Sequence, residues 1–317
     1  MHAFCLYSKS CSDEYGRHLV WSAVVLSDFH CDRLVVIGVG LIGGSVSAAL
    51  RRAGRVRRIV GVGRGRANIE RALELRVIDE AIEDVAFAVK GADIVLLAVP
   101  AQQNDRLLAQ LAASVEAKTL VTDAGSTKRN FVTAVRRLLP SHLSQVVPAH
   151  PIAGAEQTGV DAANPELFAG RNVVLTPLPE SEACAVDRIE SMWDACGARV
   201  SRMSCDHHDE VFSAVSHLPH MLAYALVHMI ATRSEAQELF SFAARGFRDF
   251  TRIASSSPEM WRDIALANRD ALLADIAAYQ QQLGQLAELI RNADAGQLGQ
   301  IFDTARNARN AWLRQDS

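Results

Sequence analysis

One stretch restricts the fold more than any other: RLVVIGVGLIGGSVSAALRRAG, Arg33 to Gly54. Leu34 to Ile37 is an apolar run of strand length. Gly38-x-Gly40-x-x-Gly43 closes it, and the small and apolar residues from Gly44 to Leu50 suit a packed helix. Each glycine has a chemical reason: a tight turn, close approach of a pyrophosphate, and close packing of helix on strand. The helix start then offers free amides to an anion. A glycine turn of this kind can also bind nothing. Here, however, it follows a strand, opens a helix, and is answered about 20 residues later by a second strand, RRIVGVG. Gly38, Gly40, Leu41, Ile42 and Gly43 are therefore the expected cofactor loop.

The second strand departs from the usual pattern. The acidic residue that bonds the ribose of NAD is replaced by Gly63, followed by Arg64 and then Arg66. Losing a carboxylate removes repulsion, and Arg64 can pair with a 2′-phosphate, so NADP is favoured over NAD. Two solvated surface arginines are the other reading.

Strand and helix patterns then alternate. ADIVLLAVP (Ala92 to Pro100), KTLVTDAGSTK (Lys118 to Lys128), SQVVPAHPIAG, RNVVLTP and ARVSRMS (Ala198 to Ser204) read as further strands. Val99, Pro100 and Asp123, at strand ends, are expected along the cofactor. The pattern predicts an α/β class: a Rossmann-type, doubly wound, mostly parallel sheet. From Cys205 on, everything reads as helix, with Ser257 as N-cap and Pro258 at the first helical position of a long one. Leu272, Ile276, Tyr279, Leu283, Leu286 and Ile290 alternate steps of four and three, a seam for another long helix. Packing inside one subunit and packing across a two-fold axis both satisfy it; a homodimer is expected. The organisation predicted is a poorly ordered extension (1–32), a dinucleotide-binding domain (33–204) and an all-helical substrate and dimerisation domain (205–317).

Composition narrows the function classes. With 317 residues, 49% hydrophobic and 22% charged, and a formal charge of -3, nothing favours nucleic acid or an acidic membrane as partner. The six cysteines lack CxxC spacing and suit reduced thiols in a cytoplasmic protein. No apolar run is long enough to span a bilayer; the longest candidate, Met221 to Ile230, has the length of a buried core helix. The first residues lack a signal-peptide layout. Since the helices run close to the end, no appended regulatory domain is expected.

His150 stands at a strand end between Pro148 and Pro151, where open α/β sheets bind ligands. It suits a general base titrating near neutrality, or a structural cap. His207, His208, His217 and His220 lie near one another in sequence, but their spacing matches no ligand motif, so no metal is expected.

In order along the chain, GLIGGS, ADIVLLAVP, DAGSTK, HPIAGAEQTGV, LFAGRNVVLTP, SHLPHMLAYAL and RGFRDFTRIASSSPEMWRDI resemble the prephenate dehydrogenases. This family makes 4-hydroxyphenylpyruvate from prephenate, or tyrosine from arogenate, with hydride passing to NAD or NADP. The resemblance covers roughly residues 33 to 313. It implies that His150 is the base and that Ser126 lies near the substrate hydroxyl. It further implies that Arg252 holds a substrate carboxylate, that His220 and Trp261 face the pocket, and that Glu156 and Asp209 form an ionic gate. Surface charge for Glu156 and Asp209, and a core position for Trp261, are the plainer alternatives.

Two other readings compete. A β-hydroxyacid dehydrogenase or imine reductase shares the architecture but usually relies on a catalytic lysine in the helical domain, and residues 205–317 contain none. A non-catalytic NADP sensor would keep the glycine loop without needing His150, Ser126 and Arg252 together.

Overall fold

The computed structural model describes residues 11–12, 18–19, 29–154 and 157–314. Most of the expected extension, and Glu156, lie outside the described residues. The first domain begins slightly earlier than expected, because Phe29 and Cys31 are already buried in its core.

Strand β1 (Cys31–Ile37) leads through the glycine turn into helix α1 (Leu41–Arg52), and β2 (Val56–Val62) follows. Helix α2 (Arg66–Glu74), the short edge strand β3 (Glu80–Ala81) and α3 (Val85–Ala88) come next. Then β4 (Ile94–Leu97), α4 (Asn104–Ala112), β5 (Leu120–Asp123) and α5 (Arg129–Leu138) complete the unit. The strand order is β3-β2-β1-β4-β5, all parallel, which is the doubly wound order. Alternation along each strand sends side chains to two separate cores. Leu34, Val36, Ile59, Ile94 and Leu96 pack on one face, and Val35, Ile37, Val60, Val95 and Leu97 on the other.

Val146 continues this sheet by a parallel bridge to Val121 and then meets Pro148, which has no amide to donate. Beyond the proline, β6 (Ala149–Pro151) turns away and joins β7 (Asn172–Leu175) and β8 (Arg199–Arg202) in a second sheet. The β6–β7 pair is antiparallel, the exception in a mostly parallel architecture. Helix α6 (Ala183–Ala195) covers it, placing Trp193 against Phe168.

Strands end at Arg202. Ser204 caps α7 (Cys205–Phe212), accepting from the His207 amide. A π-helical turn (Ser213–His217) joins α7 to α8 (Leu218–Ala231). Cys205–Ala231 is thus one helical run of 27 residues, of mean hydropathy 1.2 in its most apolar stretch, long and apolar enough by length and composition to cross a membrane. This corrects the sequence expectation, which counted only the candidate run Met221 to Ile230 and missed helical continuity through the π turn. Nor is Met221 to Ile230 a buried core helix: Ala223 is its single fully buried member.

Helices α9 (Ala236–Ser241), α10 (Arg245–Thr251), α11 (Pro258–Ala267), α12 (Arg269–Arg291) and α13 (Ala295–Leu313) follow. Ser257 does cap α11, with Pro258 first, but the expected single helix is broken at Asn268. The side-chain amide of Asn268 is drawn to the Asp209 carbonyl at 2.7 Å and to His217 Nδ1 at 3.1 Å.

Candidate active site

The glycine loop shows the three roles its spacing demanded. Gly38 has φ +98°, and a Cβ there would stand 2.3 Å from the Ala98 carbonyl. At Gly43 a Cβ would meet the Gly38 carbonyl at 2.2 Å, so close packing of helix on strand requires glycine. At Gly40 a Cβ would meet nothing within 4 Å, which leaves room for a phosphate at the start of α1, where no side chain caps the amides. A cleft of about 710 Å³ opens there, lined among others by Gly38, Gly40, Arg64, Asn68, Val99 and Pro100. This space, and a helix start with free amides, fit a dinucleotide. Leu41, Ile42 and Gly43 sit behind the lining, in the first turn of α1.

Asn68 was not foreseen. Its amide donates to the Val39 carbonyl at 2.6 Å and accepts from the Val160 amide at 2.9 Å, tying the glycine loop to the segment after β6. Arg64 is exposed and makes no ion pair among the described residues, whereas Arg66 is held by Glu70 at 2.8 Å. Glu83 lines the same end of the cleft as Arg64.

Asp123 is not placed for cofactor contact. It is buried, and both its oxygens are used internally: by the Gly125 amide at 2.9 Å, the Ala149 amide at 3.1 Å and Lys128 Nζ at 2.5 Å. Lys128, fully buried, also donates to the Ala149 carbonyl at 2.7 Å. The ion pair therefore fixes the residue just before His150 and the loop that carries Ser126, which is half-buried.

His150 is half-buried and meets the helical domain. Its Nδ1 lies 2.8 Å from His208 Nε2, and its ring stands edge-on to Phe212 at 4.7 Å. Burial first, then His208, Lys128 and His217, push its pKa well below 6.5. His208 Nδ1 lies 2.8 Å from Asp209 Oδ1, and both residues are fully buried. Asp209 accepts in addition from the Lys128 and Arg129 amides, each at 2.9 Å, at the head of α5. Burial opposes its ionisation, yet the His208 ring and those amides prevail and hold the carboxyl below its ordinary range. The surface position considered for Asp209 is thereby corrected. The helical stride offered a signal: Asp209, Ser213, His217 and His220 repeat at steps of four, four and three on one face.

A second cluster lies along the same helices. His220 stacks on Trp261 with centroids 3.4 Å apart, and its Nδ1 lies 2.8 Å from the Ser216 carbonyl. Burial first, then the charge of Arg252, depresses the His220 pKa, while the Ser216 carbonyl opposes. Arg252 is exposed at the head of the 3₁₀ turn Arg252–Ser255. Trp261 is buried as the plainer reading expected, but its indole N–H has no partner. Its helix, α11, packs on the turn Ala101–Gln103 beside Pro100, so this cluster approaches the cleft. His217 connects the groups: burial lowers its pKa to about 4, and it interacts with Asp209, His208 and His220. Among the described residues no three His, Cys, Asp or Glu side chains are placed to hold a metal.

Two family models match the chain. The prephenate dehydrogenase nucleotide-binding domain matches residues 46–202, and the prephenate dehydrogenase dimerization domain residues 204–304. The chain is 38% identical to a prephenate dehydrogenase of Bacillus subtilis over 90% of its own length and 77% of the relative's. It is 34% identical to a cyclohexadienyl dehydrogenase of Zymomonas mobilis, covering 88% of this chain and 95% of that one. Among solved structures, the prephenate dehydrogenase from A. aeolicus in complex with hydroxyphenyl propionate and NAD+ superposes with a TM-score of 0.83. It is 33% identical, covering 88% of this chain and 98% of that one.

Proposed function

The chain belongs to the prephenate dehydrogenase family, and from that premise we propose how its own residues carry the oxidative decarboxylation of a prephenate-type cyclohexadiene in tyrosine biosynthesis. A nicotinamide seated in the cleft supplies the hydride acceptor. Gly40 and the open amides of α1 receive the pyrophosphate, and Val99 and Pro100 wall the nicotinamide end. His150 takes the proton of the ring hydroxyl as hydride leaves the carbon that bears it, and the carboxylate on the opposite ring carbon then departs as carbon dioxide as the ring becomes aromatic. Ser126, on the neighbouring strand end, steadies that hydroxyl.

Arg252 pairs with a substrate carboxylate, a task suited to its exposed guanidinium. His220 and Trp261 form the wall between, their rings stacked on one another. Glu156 lies outside the described residues, and its substrate-binding role rests on the family resemblance alone. The observation that carries this reading is a half-buried imidazole, kept neutral by its surroundings, at a strand end next to the dinucleotide domain.

The Gly63–Arg64 pair supports NADP as the preferred cofactor with NAD usable, and the helical domain supports a homodimer acting in the cytoplasm. No metal or nucleic acid takes part. Absorbance at 340 nm, with prephenate or arogenate and either cofactor, tests the reading. Turnover in at least one of the four combinations is expected, and none in any would overturn it.

A further inference from the structure

Asp209 receives two backbone amides, from Lys128 and Arg129, one on each of its oxygens. Backbone amides can only donate, so they fix this carboxylate as an acceptor. The third group on it, His208 Nδ1 at 2.8 Å, must therefore carry a hydrogen. His208 is fully buried and burial disfavours its charged form, so its Nε2 holds a lone pair. That lone pair lies 2.8 Å from His150 Nδ1, which must then be the donor. One ring atom is left over. His150 Nε2 holds a lone pair and is not engaged by any described side chain.

We propose that Asp209 and His208 are positioning residues that fix the tautomer of His150, so that Nε2 is the atom that accepts the substrate proton. Neutral histidine otherwise divides between two tautomers, and the one protonated on Nε2 offers no base. The relay runs opposite to substrate: as Nε2 takes a proton, the positive ring donates to His208, behind which stands the buried carboxylate. The other groups facing His150 do not serve this purpose. Phe212 is apolar and contacts the ring edge-on, while Lys128 and His217 are cationic or neutral donors in its field. Asp123 is occupied by Lys128.

The inference rests on His150 being the base. It reaches beyond that by assigning a function to two buried helical-domain residues that touch no cleft. The same carboxylate holds the amides that follow the Ser126 loop, so one residue of the helical domain sets both elements of chemistry carried by the other domain.

Imidazole ¹⁵N chemical shifts of His150 in the wild-type protein at pH 7.5 test the tautomer directly. A protonated Nδ1 with a lone pair on Nε2 is expected; a protonated Nε2 overturns the proposal, whatever the enzyme turns over. Two variants then separate positioning from mere structure. His208→Phe fills the site but cannot accept, and kcat should fall on the order of 10²-fold with KM within about threefold, since geometry of the base is lost rather than substrate contact. His208→Gln can donate to the carboxylate and accept from His150 at once, and should restore kcat to within about tenfold of wild type. Equal kcat in wild type, Phe and Gln variants would sink the relay. If the Phe variant does not fold, the Gln variant decides by its activity and by the retained Nδ1–H of His150. A wild type that turns over none of the four substrate and cofactor combinations would refute the base assignment, while the tautomer measurement would still stand on its own.

Discussion

Trp193 and Trp312 are treated in opposite ways by the two halves of this molecule. Trp193 is fully buried against Phe168, inside a core closed by its own domain, whereas Trp312 on the last helix is 57% exposed. The contrast is general. Among the described residues, both large apolar clusters belong to the first half, Cys205 at most lying at their edge. Of the large exposed hydrophobics, only Leu73, Leu75 and Phe87 precede Cys205, while Leu266, Leu273, Leu283, Ile290, Phe302 and others follow it. The first half folds around a sheet whose two faces it covers itself. The second half is a set of helices that leaves large apolar side chains exposed, and it is the part matched by the family's dimerization-domain model. The candidate site gathers side chains from both halves, His150 from the closed one and His208 and Phe212 from the open one.

The largest effect should come from breaking the open half. Leu283→Glu with Ile290→Glu changes only exposed side chains of α12, yet burying these four side chains across a two-fold interface contributes about 6 kcal/mol. Light scattering should show monomers, turnover should collapse, and NADPH binding by fluorescence should persist. A double variant that stays dimeric would place the interface elsewhere.

Next is the junction. His150→Asn should lower kcat by a factor on the order of 10² to 10⁴ with an unchanged circular dichroism spectrum. Near-normal turnover would remove His150 from the chemistry.

The junction is also where acid should act. His150, His208 and His217 all bind protons more weakly when folded than the 6.5 expected of an exposed histidine. The unfolded chain therefore takes up more protons below that pH, so stability is complete above about pH 6.5 and falls as the pH drops toward 4. For His217 alone, lowered to about 4, the loss is about 3 kcal/mol. Chemical denaturation at pH 7.5 and 4.5 should show it, and His217→Gln should flatten the difference. The same weak proton affinity puts the acid limb of kcat/KM below 6.5.

Arg252→Gln should raise KM for the substrate about 10- to 100-fold with little change in kcat, because a carboxylate contact is made before and during reaction. A fall in kcat alone would give Arg252 another role.

The smallest effect lies wholly within the closed half. Arg64 favours a 2′-phosphate and Glu83 opposes it, so a preference for NADP of about tenfold is expected, shrinking in Arg64→Ala. The reversing change Gly63→Asp meets Ile69 at 2.9 Å, so it is best made with Ile69→Val. A wild type that prefers NAD and ignores Arg64→Ala would make this arginine a surface charge.

Much of this was legible in the chain. The glycine spacing, four of the five parallel strands, the shift to helices at Cys205 and the isolated His150 are local signals, each decided within about 20 residues, whereas the two-residue edge strand Glu80–Ala81 is too short to read. What the sequence hid is long-range pairing. Asp209 reads as one charge in an exposed-looking CDHHDE run, and only its partners Lys128 and Arg129, some 80 residues earlier, show it to be buried. Asp123 and Lys128 look like a polar turn until Ala149 closes over them. Asn68 resembles any helix residue, and its two bonds reach 29 and 92 residues along the chain. The break at Asn268 likewise follows from a contact 59 residues away.

The seating of Asp209 on the first amides of α5 has a consequence for motion. A swing of one domain against the other would pull a buried carboxylate off two backbone amides and a histidine at once, stranding charge and donors in a dry junction. Separations of this kind cost about 3 to 5 kcal/mol. Any hinge motion between the two domains that opened this junction would carry that penalty, so the contacts of Asp209 resist it.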